Sequence, residues 1–111
     1  MTLTVTLSLL LLAALLEVGG DAFVRLGMRS APVFPRALFF AAGGVILFLY
    51  GYLVNAPKWD FGRSLGVYVA LFFLVAQTVS WLVFAQKPGP AVLIGGAFIA
   101  AGGLIVSLGA Q

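Results

Sequence analysis

The stretch that decides the fold is residues 2–23, TLTVTLSLLLLAALLEVGGDAF. From Thr2 to Leu16 it carries no charge, and it is long enough for a helix to cross a hydrocarbon core of about 30 Å, which needs roughly 20 residues. One carboxylate, Glu17, sits deep inside it. No basic segment precedes Leu3, and the apolar run is longer than a cleaved signal sequence uses, so a membrane helix is expected here.

Outward from this stretch the pattern repeats three times. Apolar blocks at 37–54, 64–85 and 90–110 read as further spans, separated by segments 25–36, 55–63 and 86–89 that carry charge with Pro or Gly. Pro32, Pro35, Pro57, Pro88 and Pro90 all fall at or between block ends. They act there as breakers and interrupt no span. The blocks are continuously apolar rather than alternating, which excludes a transmembrane barrel. Connections this short hold no soluble domain. The expected fold is therefore an all-α membrane protein, one domain over residues 1–111, with four transmembrane helices.

Composition agrees. Only 8% of residues are charged against 63% hydrophobic, whereas a soluble domain keeps about a quarter charged. The six cations are scattered between apolar blocks, as loop charges at lipid headgroups are, so no nucleic-acid face is expected. The chain has no Cys and no His. Thiol chemistry is excluded, no metal or other cofactor is expected, and no nucleophile–base constellation suggests an enzyme. Loops one and three hold Arg25, Arg29, Arg36 and Lys87, against Lys58 and Arg63 in loop two. This orientation bias is weak.

Glu17 is the leading candidate for chemistry. A charge at mid-bilayer costs about 2.5–3.5 kcal/mol on insertion scales, so an intramembrane carboxylate signals function by default. A carboxyl withdrawn from water favours its protonated form; such a group can take either a proton or a cation. The competing reading is a carboxylate locked as structural glue between helices. Asp21 and Arg25 follow at i+4 and i+8 on the same helix face. Asp21 is read first as one half of an interfacial clamp with Arg25, and second as a neighbour that acts on Glu17 by like-charge repulsion. Small residues Ala13, Ala14 and Gly20 let another element approach Glu17. Trp59, Tyr50 and Tyr52 are expected in the interfacial aromatic belt. Tyr68 and Trp81, the latter near Gln77 and Ser80, are candidates for an aromatic wall facing a cation.

The fourth block carries two stripes of small residues. Gly95, Gly102 and Gly109 recur every seven positions, and Gly96, Ala100, Gly103 and Ser107 form the other. In lipid such stripes mark close helix packing. Either a dimer contact or packing inside one bundle is consistent with the spacing. The echo between FFAAGGVIL (39–47) and FIAAGGLIV (98–106) is what apolar low-complexity sequence produces by chance, and no internal repeat is read from it.

Several motifs together resemble a known family. ALLEVGG (14–20), LYGYL (49–53), DFGR (60–63) with Tyr68 five residues on, SW (80–81), and a glycine-spaced last helix occur in this order along nearly the whole chain. The chain resembles the small multidrug resistance superfamily, and most closely its YnfA-like branch. That resemblance implies an antiparallel homodimer with a substrate site between the copies. It implies that Glu17 binds protons and cationic substrate in competition, that Tyr68 borders the site, and that the last helix, with Gly95 and Gly102, holds the dimer. The chain departs from the pattern in having Val69–Ala70 where small residues follow the aromatic position, and in carrying Asp21 and Arg25.

The combined expectation is a multi-pass dimer in the bacterial cytoplasmic (inner) membrane. It would export small or lipophilic cations by proton exchange at Glu17, with Tyr68, Trp81 and Asp21 at the site and Gly95, Gly102 and Gly109 at the interface. Other classes fit the same residues: a non-transporting membrane subunit, or one half of a heteromeric transporter or flippase.

Overall fold

The computed structural model describes residues 2–109. Four helices run α1 (Leu3–Arg29), α2 (Val33–Val54), α3 (Phe61–Phe84) and α4 (Pro90–Gly109). Each is long and apolar enough to span a membrane, and no strand occurs among the described residues. This is an all-α membrane protein with the up-and-down order the apolar blocks predict. The expected end of the last span at position 110 lies outside the described residues.

Three boundaries differ from the expectation, each for a local reason. α1 continues beyond Phe23 to Arg29, because nothing in VRLGMR (24–29) breaks a helix and the two arginines carry their charge on long stems. At about 1.5 Å per residue, the 27-residue helix outruns the hydrocarbon core, so Arg25 and Arg29 sit toward the headgroups. Thr2 opens α1, its hydroxyl accepting from the Val5 backbone N–H at 3.2 Å. α2 begins at Val33 rather than at residue 37. Pro35 falls in the first turn, where a helix needs no N–H donor. α3 begins at Phe61, just after Asp60. It ends where Ala85 turns left-handed at φ 54° and the Gln86 N–H donates to the Ser80 carbonyl at 3.0 Å.

The helices form a slab of 50 × 34 × 18 Å. α1 packs intimately on α2 and also on α3, while α4 packs on α3 alone. The α1–α2 crossing is made by glycines: a Cβ at Gly20 would meet the Gly43 carbonyl at 3.2 Å, and one at Gly43 would meet the Gly20 carbonyl at 2.9 Å. The α3–α4 contact uses the stripe of Gly96, Gly103 and Ser107, which is buried. Gly96 takes the Phe73 ring and Gly103 takes Ala70. Ala70, in the Val69–Ala70 pair, is thus the residue that α4 closes on. The buried core lies between α1, the end of α2 and the start of α3, formed by Leu10, Ala13, Ala14, Val54, Val67 and Tyr68.

Candidate functional site

Ala13 and Ala14 are completely buried, and their small side chains bring the start of α3 against the middle of α1. That approach places Tyr68 beside Glu17. The Tyr68 hydroxyl donates a hydrogen bond of 2.5 Å to Glu17 Oε1. The carboxylate is half-buried, and Tyr68 is only 5% exposed. Residues 51 apart in sequence thus meet near the middle of the bundle. Around them the Tyr50 ring stands 5.6 Å from Tyr68 and the Phe72 ring 6.0 Å, both centroid to centroid. The result is a cluster of aromatic rings beside one carboxylate.

Tyr50 joins this cluster rather than the interfacial belt. It was expected in the interfacial belt with Tyr52, and only Tyr52, 74% exposed, faces outward. The signal was present in LYGYL: Tyr50 shares a helix face with Val54, four residues on and buried, while Tyr52 points the other way. Trp59 is also more than a belt residue. It packs against the core, and the Arg63 guanidinium lies 3.9 Å from its ring centroid. Arg63 Nη2 donates to the Ser107 carbonyl at 3.0 Å, tying the first turn of α3 to the last turn of α4.

Two expected arrangements take a different form. Asp21 and Arg25 make no clamp. Arg25 lies instead over the Phe84 ring at 5.1 Å, with Arg29 near the same ring at 5.7 Å. Both Asp21 and Arg25 are exposed on the outer face of the single chain. An aromatic ring on a facing helix outcompetes the i+4 carboxylate because α3 ends beside them. Trp81 does not join Glu17 and Tyr68 within one chain. It lies 13 residues beyond Tyr68 on α3, about 20 Å along the axis, is 52% exposed, and has the Lys87 ammonium 5.8 Å from its ring centroid. Gly20 faces α2 rather than the carboxylate, through its contact with Leu47 and Gly43. Gly95, Gly102 and Gly109 have nothing within 4 Å of where a Cβ would stand, so this stripe faces away from the chain's own helices.

The structure thus sets a glutamate of the first helix against a tyrosine of the third. The model of the "Uncharacterised BCR, YnfA/UPF0060 family" matches residues 3–111. The chain belongs to the YnfA/UPF0060 family. It is 36% identical to the UPF0060 membrane protein YfjF of Bacillus subtilis over 105 residues, covering 94% of this chain and 93% of that one. It is 38% identical to a UPF0060 membrane protein of Nocardia farcinica over 92 residues, 81% and 78% of the two chains. A UPF0060 membrane protein of Desulfitobacterium hafniense is 35% identical over 81 residues, 72% of each. No solved structure matches the chain. With its four apolar helices and these relatives, it is an integral, multi-pass membrane protein.

Proposed function

We propose that this YnfA/UPF0060 protein is a proton-coupled exporter of small or lipophilic cations in the bacterial cytoplasmic membrane, with Glu17 exchanging proton for substrate. The observation that carries the reading is the hydrogen bond from Tyr68 to Glu17 inside the span. A carboxylate there is too costly to keep unless it is used or fully neutralised, and one hydroxyl donor leaves room for a second partner. A proton serves in one state and a cation in the other. The rings of Tyr68, Tyr50 and Phe72 supply faces that attract positive charge. Proton and cation compete for one group, so cation binding strengthens as pH rises. The protein acts as a carrier rather than an enzyme.

In this reading the working unit is an antiparallel homodimer, and the outward stripe of Gly95, Gly102 and Gly109 meets its counterpart in the second copy. Close backbone approach between small residues is how helices associate in lipid. The near balance of loop cations allows insertion in both senses. Because the chain contains no cysteine, a single cysteine introduced at Asn55 is a clean probe, expected to label from both faces of the membrane. Labelling from one face only would exclude the antiparallel pair.

The decisive test is electrical. Currents on solid-supported membranes across a panel of organic cations at two pH values should appear with wild-type protein and vanish with Glu17→Gln, which keeps the shape but cannot hold a proton or balance a cation. Tyr68→Phe should retain transport with a changed cation affinity, since the carboxylate loses a hydrogen bond of the kind worth about 1.5–3 kcal/mol. Undiminished pH-driven flux in Glu17→Gln would refute the mechanism. A Glu17→Gln protein that no longer folds in detergent would favour structural glue.

A further inference from the structure

One turn beyond Glu17, on the side toward Arg29, a groove of about 320 Å³ opens between α1 and α3. Glu17 does not line it. Its inner wall is Val18 and Phe72, and its outer end is Ser80 and Phe84. Two charges of opposite sign lie along one edge, Asp21 deeper and Arg25 one turn nearer the headgroups. Four residues of helix separate them, about 6 Å along the axis. They do not neutralise each other, because Arg25 lies over Phe84. Arg29, near the same ring, adds positive charge at the outer end.

A carboxylate left facing acyl chains is unfavourable, so something polar covers Asp21. A simple cation suits Asp21 but meets two guanidinium groups at the mouth. A simple anion suits Arg25 but is repelled by Asp21 one turn deeper. The groove complements a molecule with both charges in a fixed order: an apolar chain innermost, then a positive group, then a negative one. We propose that the α1–α3 groove binds an amphiphilic zwitterion of the alkyl betaine type, its ammonium at Asp21, its anionic group at Arg25 and its chain against Val18 and Phe72. Bilayer phospholipids carry the opposite order, with phosphate next to the chain and ammonium outermost, so the occupant is a separate amphiphile rather than bulk lipid. Phe72 borders both this groove and the Glu17 site, but Glu17 itself does not line the groove and is not needed to hold the zwitterion's charges.

Charge order makes the test sharp. Ala76 lines the groove, and in this cysteine-free chain Ala76→Cys provides a unique thiol; Val79→Cys, on the same wall, serves if the first variant does not fold. The rate of thiol modification by a methanethiosulfonate reagent is measured in a nonionic detergent with decyl sulfobetaine, decylphosphocholine, decyltrimethylammonium or decyl sulfate at equal concentration. Decyl sulfobetaine should slow the reaction by about tenfold, the weight of one charge-assisted hydrogen bond, and the other three by much less. Asp21→Asn and Arg25→Gln should each abolish that advantage, and Glu17→Gln should leave it in place. Equal protection by sulfobetaine and phosphocholine would overturn the charge order. Best protection by decyltrimethylammonium would make the groove a plain cation site. Protection that needs no amphiphile and grows with protein concentration would assign the face to a second copy of the chain.

Discussion

The two small-residue stripes of α4 lie one position apart in sequence and have opposite surroundings. Gly96, Gly103 and Ser107 are buried against α3, where Phe73 and Ala70 occupy the space a side chain would need. Among the described residues, nothing stands within 4 Å of where a Cβ on Gly95, Gly102 or Gly109 would be. The first stripe holds the protomer together. The second is likewise built of small residues, glycines at a seven-residue spacing, but it is a surface. In lipid no hydrophobic effect separates inside from outside, so a glycine's role is set by the helix opposite it and cannot be read from the glycine.

Four glycine substitutions set these faces apart, and the inner stripe should give the largest effect. Gly103→Leu places a branched side chain where Ala70 already stands. Overpacking typically costs about 1–3 kcal/mol, and here the obstacle includes the facing helix itself, so the upper end or beyond is expected. Detergent-solubilised protein should lose its monodisperse, helical form. Gly43→Leu should fail in the same way, because the Gly20 carbonyl and Val24 close that space. A well-folded Gly103→Leu protein would mean that α4 moves freely on α3.

Next comes Gly102→Leu, which should leave the protomer folded and raise the dimer dissociation constant by on the order of tenfold, about 1.4 kcal/mol. Light-scattering mass across a dilution series reads this directly. Gly44→Leu is the matched control, since Gly44 is equally open but lies outside the proposed interface; it should change neither fold nor mass. A dimer that survives Gly102→Leu and dissociates in Gly44→Leu would move the interface from α4 to α2.

The smallest effect is expected outside the stripes, at the turn that delivers α4. Ala85 takes a left-handed conformation that costs a residue with a Cβ roughly 1–2 kcal/mol. Ala85→Gly relieves this but frees the unfolded chain by about 0.4–1 kcal/mol. The net gain should lie between zero and about 1.6 kcal/mol, seen as a slight rise in thermal midpoint in detergent. A loss of stability would mean that the turn is held by packing of the Ala85 methyl.

The candidate site was legible in part, and the division follows the physics of each signal. Glu17 stands out because a carboxylate among LLLLAALL can be recognised without knowing its neighbours. Tyr68 was marked by its place in the motif order, and its hydroxyl is found on Glu17. Tyr50 was passed over because a tyrosine near a helix end looks the same whether it faces headgroups or a core. Asp21 and Arg25 looked like a pair because i+4 spacing is a property of one helix. Phe84, 59 residues after Arg25, is a property of two.

What the sequence determined by itself was the number of helices, their residence in the membrane and the place of Glu17 deep within the first of them. These depend on the hydropathy of contiguous residues and on where proline and glycine stop a helix, both local. The tertiary structure decided which face of each helix is inside. It made Gly103 a packing surface and left Gly102 bare, turned Tyr50 toward Tyr68, and drew Arg25 away from Asp21 onto Phe84, at the edge of the groove between α1 and α3. In a chain apolar on every side, amphipathic periodicity carries little information about what faces what. Backbone approach and the few polar contacts across helices make that choice.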